Sequence, residues 1–203
     1  GLPSLAPGAL TFTTIDELAQ RLAALAAAAP AGTRVQRLQP GRSHDGVPVQ
    51  ALRFARGANP RPAVLLLGQQ HGDEPAGAEA LLVLADQLLN TGLSQVLDRI
   101  DVIVLPRANP DGAEWQRRVN AAGMDINRDH LLLRTPEAQA VAALVRSQRP
   151  VVVVDAHEHA VVGRYLQKFN AVQRNDLLFQ YAMTANLPEA LGHASEAWFR
   201  QPI

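Results

Sequence analysis

An imidazole and a carboxylate three residues apart, His71 and Glu74, follow closely on the apolar run Ala63-Val-Leu-Leu-Leu-Gly68. The run reads as a short buried strand. The chain is expected to turn at Gly72 and to present both side chains at the strand's C-terminal edge, where open α/β sheets carry their ligand sites. A second apolar run, at 151–154, leads into Asp155-Ala-His157 and offers another imidazole in the same setting. Two imidazoles and one carboxylate suit a zinc ion that keeps a fourth position open, the arrangement of hydrolytic rather than structural zinc. A lone His-x-x-Glu is common on exposed turns. Two strand ends that both present a histidine are what single out His71, Glu74 and His157 as ligands of one zinc ion.

The segment between the two halves of this site carries further ordered polar groups. They are Asn109-Pro-Asp-Gly112, then Arg118-Val-Asn120-Ala-Ala-Gly123, then Asp125-Ile-Asn127-Arg128. In that order, from about residue 63 to residue 158, the chain resembles the M14 zinc carboxypeptidase family. The resemblance implies that His71, Glu74 and His157 bind zinc and that Asp125 hydrogen-bonds a zinc-ligating histidine. It further implies that Arg118 stabilises an oxyanion, and that Asn127 and Arg128 hold a substrate's terminal carboxylate. The chemistry suits those roles: a fixed guanidinium meets developing negative charge, and arginine grips a carboxylate with two parallel hydrogen bonds that lysine cannot reproduce. A carboxylate behind a liganded imidazole fixes its tautomer.

The expected activity is hydrolysis of an amide bond next to a free C-terminal carboxylate. The alternatives are deacylation of an N-acyl amino acid, of the succinylglutamate desuccinylase or aspartoacylase kind, and a catalytically inactive relative that binds zinc and carboxylates. The substrate is accordingly a peptide or a small acyl amino acid. Asp73 stands where digestive members of the family carry arginine, so the His-Gly-Asp-Glu form looks closer to the murein-peptide branch and to the deacylases. Family members place their general-base glutamate on a late strand. Glu196 is a poor match to that context, and Glu158 adjoins a ligand and is expected to point elsewhere, so the base is expected beyond Ile203. Glu158 and His159 could line the cleft. Tyr165 and Tyr181 lack a motif context, and Trp115 and Trp198 read as packing residues.

Elements that could position these groups are legible around them. Thr13 or Thr14 can cap a helix over 15–29 with Leu18, Leu22 and Leu25 on one face. Strands at 35–38 and 47–54 flank Ser43-His-Asp-Gly46, a type I′-like hairpin turn. A helix over 75–89 begins with Pro75 at its favoured first position. A strand at 100–105, a turn at 109–112, a helix from Thr135-Pro136 to about 147 and the strand at 151–154 complete the set. Continuous apolar strands alternating with helices predict an α/β fold: a mixed, partly parallel sheet flanked by helices and buried on both faces. The 203 residues, 47% apolar, suffice for one catalytic domain. We expect that domain to span 1–203, with 1–12 an extended arm and the fold incomplete at the C-terminus.

Composition narrows the remaining classes. Nineteen basic and nineteen acidic residues leave no electrostatic case for nucleic acid, and no run approaches membrane-spanning length. The absence of cysteine excludes disulfides, thiolate ligands and a cysteine nucleophile. A periplasmic or secreted setting is expected over the cytoplasm, and the oligomeric state is open.

Overall fold

Thr14, of the two candidate caps, starts helix α1 (Ile15–Ala27): its hydroxyl accepts from the Glu17 N–H while the Glu17 carboxylate accepts from the Thr14 N–H. Thr13 instead donates its N–H and its hydroxyl to Glu79, each at 2.8 Å. The computed structural model describes residues 11–159, 163–172, 178–180 and 187–200. Residues 1–10 of the expected arm, and Tyr181, lie outside that set. The chain groups into two compact units, Gly1–Glu158 and His159–Ile203.

In the first unit, β1 (Thr33–Arg42) and β2 (Pro48–Arg56) form the expected hairpin, longer than the apolar pattern alone predicts, with a register shift between Leu38 and Gly41. Its turn is not type I′, which needs positive φ at both central residues. Only Gly46 has it, at +84°, with its N–H on the Ser43 carbonyl at 3.0 Å. Tertiary contacts set this shape. The Ser43 hydroxyl and the Asp45 N–H both donate to Asp111, and the His44 N–H donates to Glu137 at 2.8 Å.

The unit continues through β3 (Ala63–Gly68), α2 (Pro75–Asn90), a 3₁₀ turn at Gly92–Asp98, β4 (Asp101–Leu105), α3 (Pro110–Glu114), a 3₁₀ turn at Ile126–Arg128, α4 (Pro136–Gln148) and β5 (Val152–Ala156). The strand order is β1-β2-β4-β3-β5. β2 runs antiparallel to β1 and β4, whereas β3 is parallel to β4 and β5, so the sheet is mixed, as expected. Period-two alternation sends successive side chains to opposite faces. Leu52, Phe54, Val102 and Val104 pack with Leu18 and Leu22 of α1 and Leu82 and Leu88 of α2. Val49, Ala51, Leu65, Ile103 and Leu105 pack with Ala140, Val141 and Leu144 of α4.

Three expectations need correction. The segment 109–112 is not a plain turn but the start of α3, capped by the Asn109 side chain accepting from the Gly112 N–H. β5 is not buried on both faces: Val152, Val153 and Val154 are 41%, 47% and 40% exposed, because β5 is the outermost strand and pairs only with β3 among the described residues. Trp115 is 65% exposed rather than a packing residue. It comes directly after α3, whose buried residues are Pro110, Asp111 and Gly112.

The second unit contains α5 (Arg164–Phe169), along which the Tyr165 and Phe169 rings meet at a tilt of 48° with centroids 5.0 Å apart, and α6 (Glu189–Arg200), which carries Glu196. Among the described residues no single helix is long and apolar enough to cross a membrane. The bent pair of α2 and the 3₁₀ turn after it passes on composition only, and its Leu81, Leu82, Ala85, Leu88 and Leu97 are core residues.

Candidate metal centre

β3 and β5 pair in parallel register through Leu67 opposite Asp155 and Gly68 opposite Ala156. Both strands therefore end together, and the residues after each strand are carried to the same edge. His157 comes one residue after the register ends, and the turn at 69–71 delivers His71 beside it. The two rings lie 4.7 Å apart. His71 Nδ1 is 2.7 Å from Glu74 Oε1, and His157 Nδ1 is 2.8 Å from Glu74 Oε2. Candidate ligand atoms of all three lie within 4.8 Å of one another. The predicted trio is brought together.

Gly72 is needed here for a different reason from the one expected. Its φ is not positive; what requires glycine is close approach. A Cβ on Gly72 would sit 2.0 Å from the Gly112 carbonyl carbon and 2.4 Å from the Ala113 nitrogen. The ligand turn thus lies directly on the backbone of α3. Gln69, just before it, is held in the left-handed region (φ +49°) by both ends of its side chain. Its amide donates to the Gly72 carbonyl at 3.0 Å and accepts from the buried Arg107 at 2.7 Å. Asn109 completes the clamp by donating to the Gln70 carbonyl at 3.1 Å.

The electrostatics suit a divalent cation. Burial alone would raise the Glu74 carboxyl, but the hydrogen bonds from His157, the Glu158 N–H and His71 outweigh it and hold Glu74 below the usual carboxylate range. His157 is pushed up to about 9 by its hydrogen bond to Asp155, against the opposing effect of burial, with the Asp155 charge and Glu74 adding to the rise. An ionised carboxylate flanked by two imidazoles, with more negative charge behind one of them, is a donor set matched to zinc.

The other predicted residues fall around this cluster unevenly. Arg118 Nη1 is 3.8 Å from Glu74 Oε1 and 3.3 Å from His71 Nδ1, with its Nε donating to Asp125 Oδ2 at 3.0 Å. Asp125 Oδ1 lies 3.3 Å from His71 Nε2, yet that buried nitrogen has no aligned hydrogen bond. The carboxylate plane is set instead by Arg118 and by the Asn127 N–H, which donates to Oδ1 at 3.0 Å. Asn127 reaches the site, its Nδ2 3.1 Å from His157 Nε2. Arg128 does not join the cluster: it is exposed, and its guanidinium donates to the Asn127 carbonyl. Glu158 points away, as expected; its carboxylate accepts from the Ala76 N–H in the first turn of α2 at 2.7 Å.

Sequence reasoning missed what stands behind His157. Asp155 Oδ2 lies 2.9 Å from His157 Nε2 and accepts from the buried Gln70 amide at 2.6 Å. The i, i+2 spacing of Asp155 and His157, which puts both on one face of an extended segment, was the available signal.

A model of the zinc carboxypeptidase family matches residues 18–182. The chain belongs to the zinc carboxypeptidase family. Carboxypeptidase 2 of Trichophyton rubrum is 34% identical over 138 residues, which are 67% of this chain and 26% of that protein. Carboxypeptidase D of Drosophila melanogaster is 29% identical over 188 residues, 76% of this chain and 13% of its own length. Among solved structures, the metallo-carboxypeptidase of Pseudomonas aeruginosa is similar with a TM-score of 0.59 and 27% identity, over 71% of this chain and 38% of that one. The metallo-carboxypeptidase of Burkholderia cenocepacia has a TM-score of 0.63 at 24% identity, over 71% and 40% of the two chains. The chain spans about a quarter or less of the length of these curated relatives.

Proposed function

We propose that this chain carries the zinc site and part of the substrate cleft of a metallocarboxypeptidase that hydrolyses the amide bond next to a free C-terminal carboxylate. The observation that carries the reading is the convergence of His71, Glu74 and His157 at one sheet edge with Arg118 beside them. Those three side chains would hold one zinc ion. When bound, zinc supplies Lewis acidity for the scissile carbonyl and for water.

The chain's own residues do the rest. Arg118, held by Asp125, presents a fixed positive charge where the carbonyl oxygen becomes negative. Asn127 and Arg128, on the 3₁₀ turn next to Asp125, bind the terminal carboxylate; a guanidinium can hold that group with two hydrogen bonds. The Pseudomonas aeruginosa relative was solved in complex with (2-guanidinoethylmercapto)succinic acid, a ligand that carries carboxylates, which supports recognition of this kind.

Within the family we favour the His-Gly-Asp-Glu branch near the murein-peptide carboxypeptidases. Asp73, exposed between two ligands, stands where digestive members carry arginine and leaves the cleft one cation short, which favours murein peptides over ordinary C-terminal peptides. The test is release of C-terminal amino acids by the intact protein, with and without chelator, from a simple dipeptide, a murein peptide and an N-succinyl amino acid. Chelator-sensitive release that His71→Ala abolishes is expected. Metal-indifferent turnover defeats the proposal, and preference for the N-succinyl compound moves it to the deacylases.

A further inference from the structure

A hydrogen-bonded chain leads away from His157 toward the loop after the 126–128 turn. His157 Nε2 lies 2.9 Å from Asp155 Oδ2, which accepts from Gln70 Nε2 at 2.6 Å, and Gln70 Oε1 lies 2.6 Å from His130 Nε2. The amide oxygen can only accept, so His130 Nε2–H is the donor at that link. That bond fixes which end of the Gln70 amide faces Asp155: turned over, it would set its oxygen against the carboxylate and leave the imidazole N–H facing an NH₂ group. Gln70 is 1% exposed, so water has little room to replace either bond. His130, by contrast, is exposed.

The consequence falls on the ring of His157. Two groups face Nε2, the Asn127 amide at 3.1 Å and Asp155 Oδ2 at 2.9 Å; the Asp155 carboxylate, anchored by Gln70, is the nearer and the charged one, so it accepts Nε2–H and keeps the hydrogen on that nitrogen. Nδ1, 2.8 Å from Glu74, is then the nitrogen that gives up its hydrogen when a cation binds and turns its lone pair to the metal. His71 Nε2 faces Asp125 Oδ1 at 3.3 Å, without an aligned hydrogen bond and without a buried amide behind the carboxylate. The two imidazoles are therefore positioned by different means: His71 by the backbone clamp around Gly72, His157 by this side-chain chain.

We propose that Gln70 and His130 are positioning residues for zinc binding, acting through Asp155 to orient the His157 imidazole. The inference rests on the metal site proposed above and deepens it. The test measures zinc affinity of the intact protein by competition with a chromophoric chelator, and the visible spectrum of the cobalt(II)-loaded form. Unfolding curves serve as a control.

Gln70→Leu and His130→Phe are each expected to weaken zinc binding by about tenfold. The double variant should lose about the same tenfold rather than a hundredfold, because His130 acts only through Gln70. His130→Gln, which restores an N–H donor, should recover most of the affinity and the parent cobalt spectrum. Folded variants with parent affinity, or losses that multiply in the double variant, overturn the proposal. Should Gln70→Leu fail to fold, the two His130 variants decide the matter alone, since that side chain is exposed. His71→Ala separates the failures: a parent protein that binds zinc no better than His71→Ala refutes the metal site itself, whereas a tight parent with indifferent His130 variants refutes only the chain behind His157.

Discussion

Adding one methyl group at Gly72 is the sharpest test of how this site is held. The new Cβ would lie 2.0, 2.3 and 2.4 Å from the Gly112 carbonyl carbon, its oxygen and the Ala113 nitrogen. All three are backbone atoms, so no rotamer change can make room. Reaching an ordinary 3.4 Å contact requires the turn and α3 to separate by about 1.4 Å. Overpacking of this kind costs about 1–3 kcal/mol, or roughly 2–12 °C in Tm for a chain of this size. The larger effect falls on the site. Metal-binding constellations tolerate about 0.5 Å of displacement, and a misplacement of about 1 Å can cost a hundredfold in rate. Gly72→Ala in the intact protein should thus lose at least about tenfold in zinc affinity and a hundredfold in kcat/KM. Gly46→Ala is the control: its φ of +84° makes a side chain strained at about 1–2 kcal/mol, but nothing lies within 4 Å, so stability falls by a similar amount while zinc affinity stays at the parent value. Chelator competition, peptide turnover and thermal unfolding read the three quantities. A Gly72→Ala protein with parent zinc affinity would refute the close-approach argument.

Three further outcomes are expected from the same geometry. Arg118→Ala should lower kcat by about 100- to 1,000-fold with KM little changed, and Arg118→Lys should not rescue it; steady-state kinetics on a C-terminal dipeptide decide, and a pure KM effect contradicts the assigned role. Arg128→Ala should lower kcat/KM by about 10- to 100-fold on free-acid peptides, with little change on C-terminal amides, so that discrimination between the two collapses. The Asp129 carboxyl is buried, which would raise it, but the N–H groups of Arg134 and Thr135, the Thr135 hydroxyl and the Arg134 charge hold it below its ordinary 3.8. Its stabilisation is therefore complete above about pH 4 and is lost as pH falls through the lowered value. Asp129→Asn should cost stability at neutral pH, and its gap from the parent in urea unfolding should close under acid; a gap independent of pH contradicts this.

Local chemistry in the sequence specified a good deal. The threonine cap at 13 or 14, Pro75 and Pro136 at helix starts, the position of the Asp-Gly turn and the apolar runs each depend on neighbours within a few residues, and each is found near its expected place. The candidate metal trio was legible for the same reason: a side chain just past an apolar strand is carried to the sheet edge whatever the rest of the chain does.

What the tertiary structure decided depends on register and close packing between distant segments. Parallel pairing of β3 with β5, ending at Gly68 and Ala156, put His71 next to His157 rather than a few residues away. Contact with Gly112 gave Gly72 its reason, which no local conformational rule supplies. Arg118 and the Asn127 N–H fix the plane of the Asp125 carboxylate, which leaves its Oδ1 3.3 Å from His71 Nε2 but out of line for the expected hydrogen bond. Gln70 and Asp155, distant in sequence, share a hydrogen bond only because adjacent strands carry them. Spacing along the chain fixes which donors are available. The geometry in which they meet is set by strand pairing and by backbone contacts that no short window of residues contains.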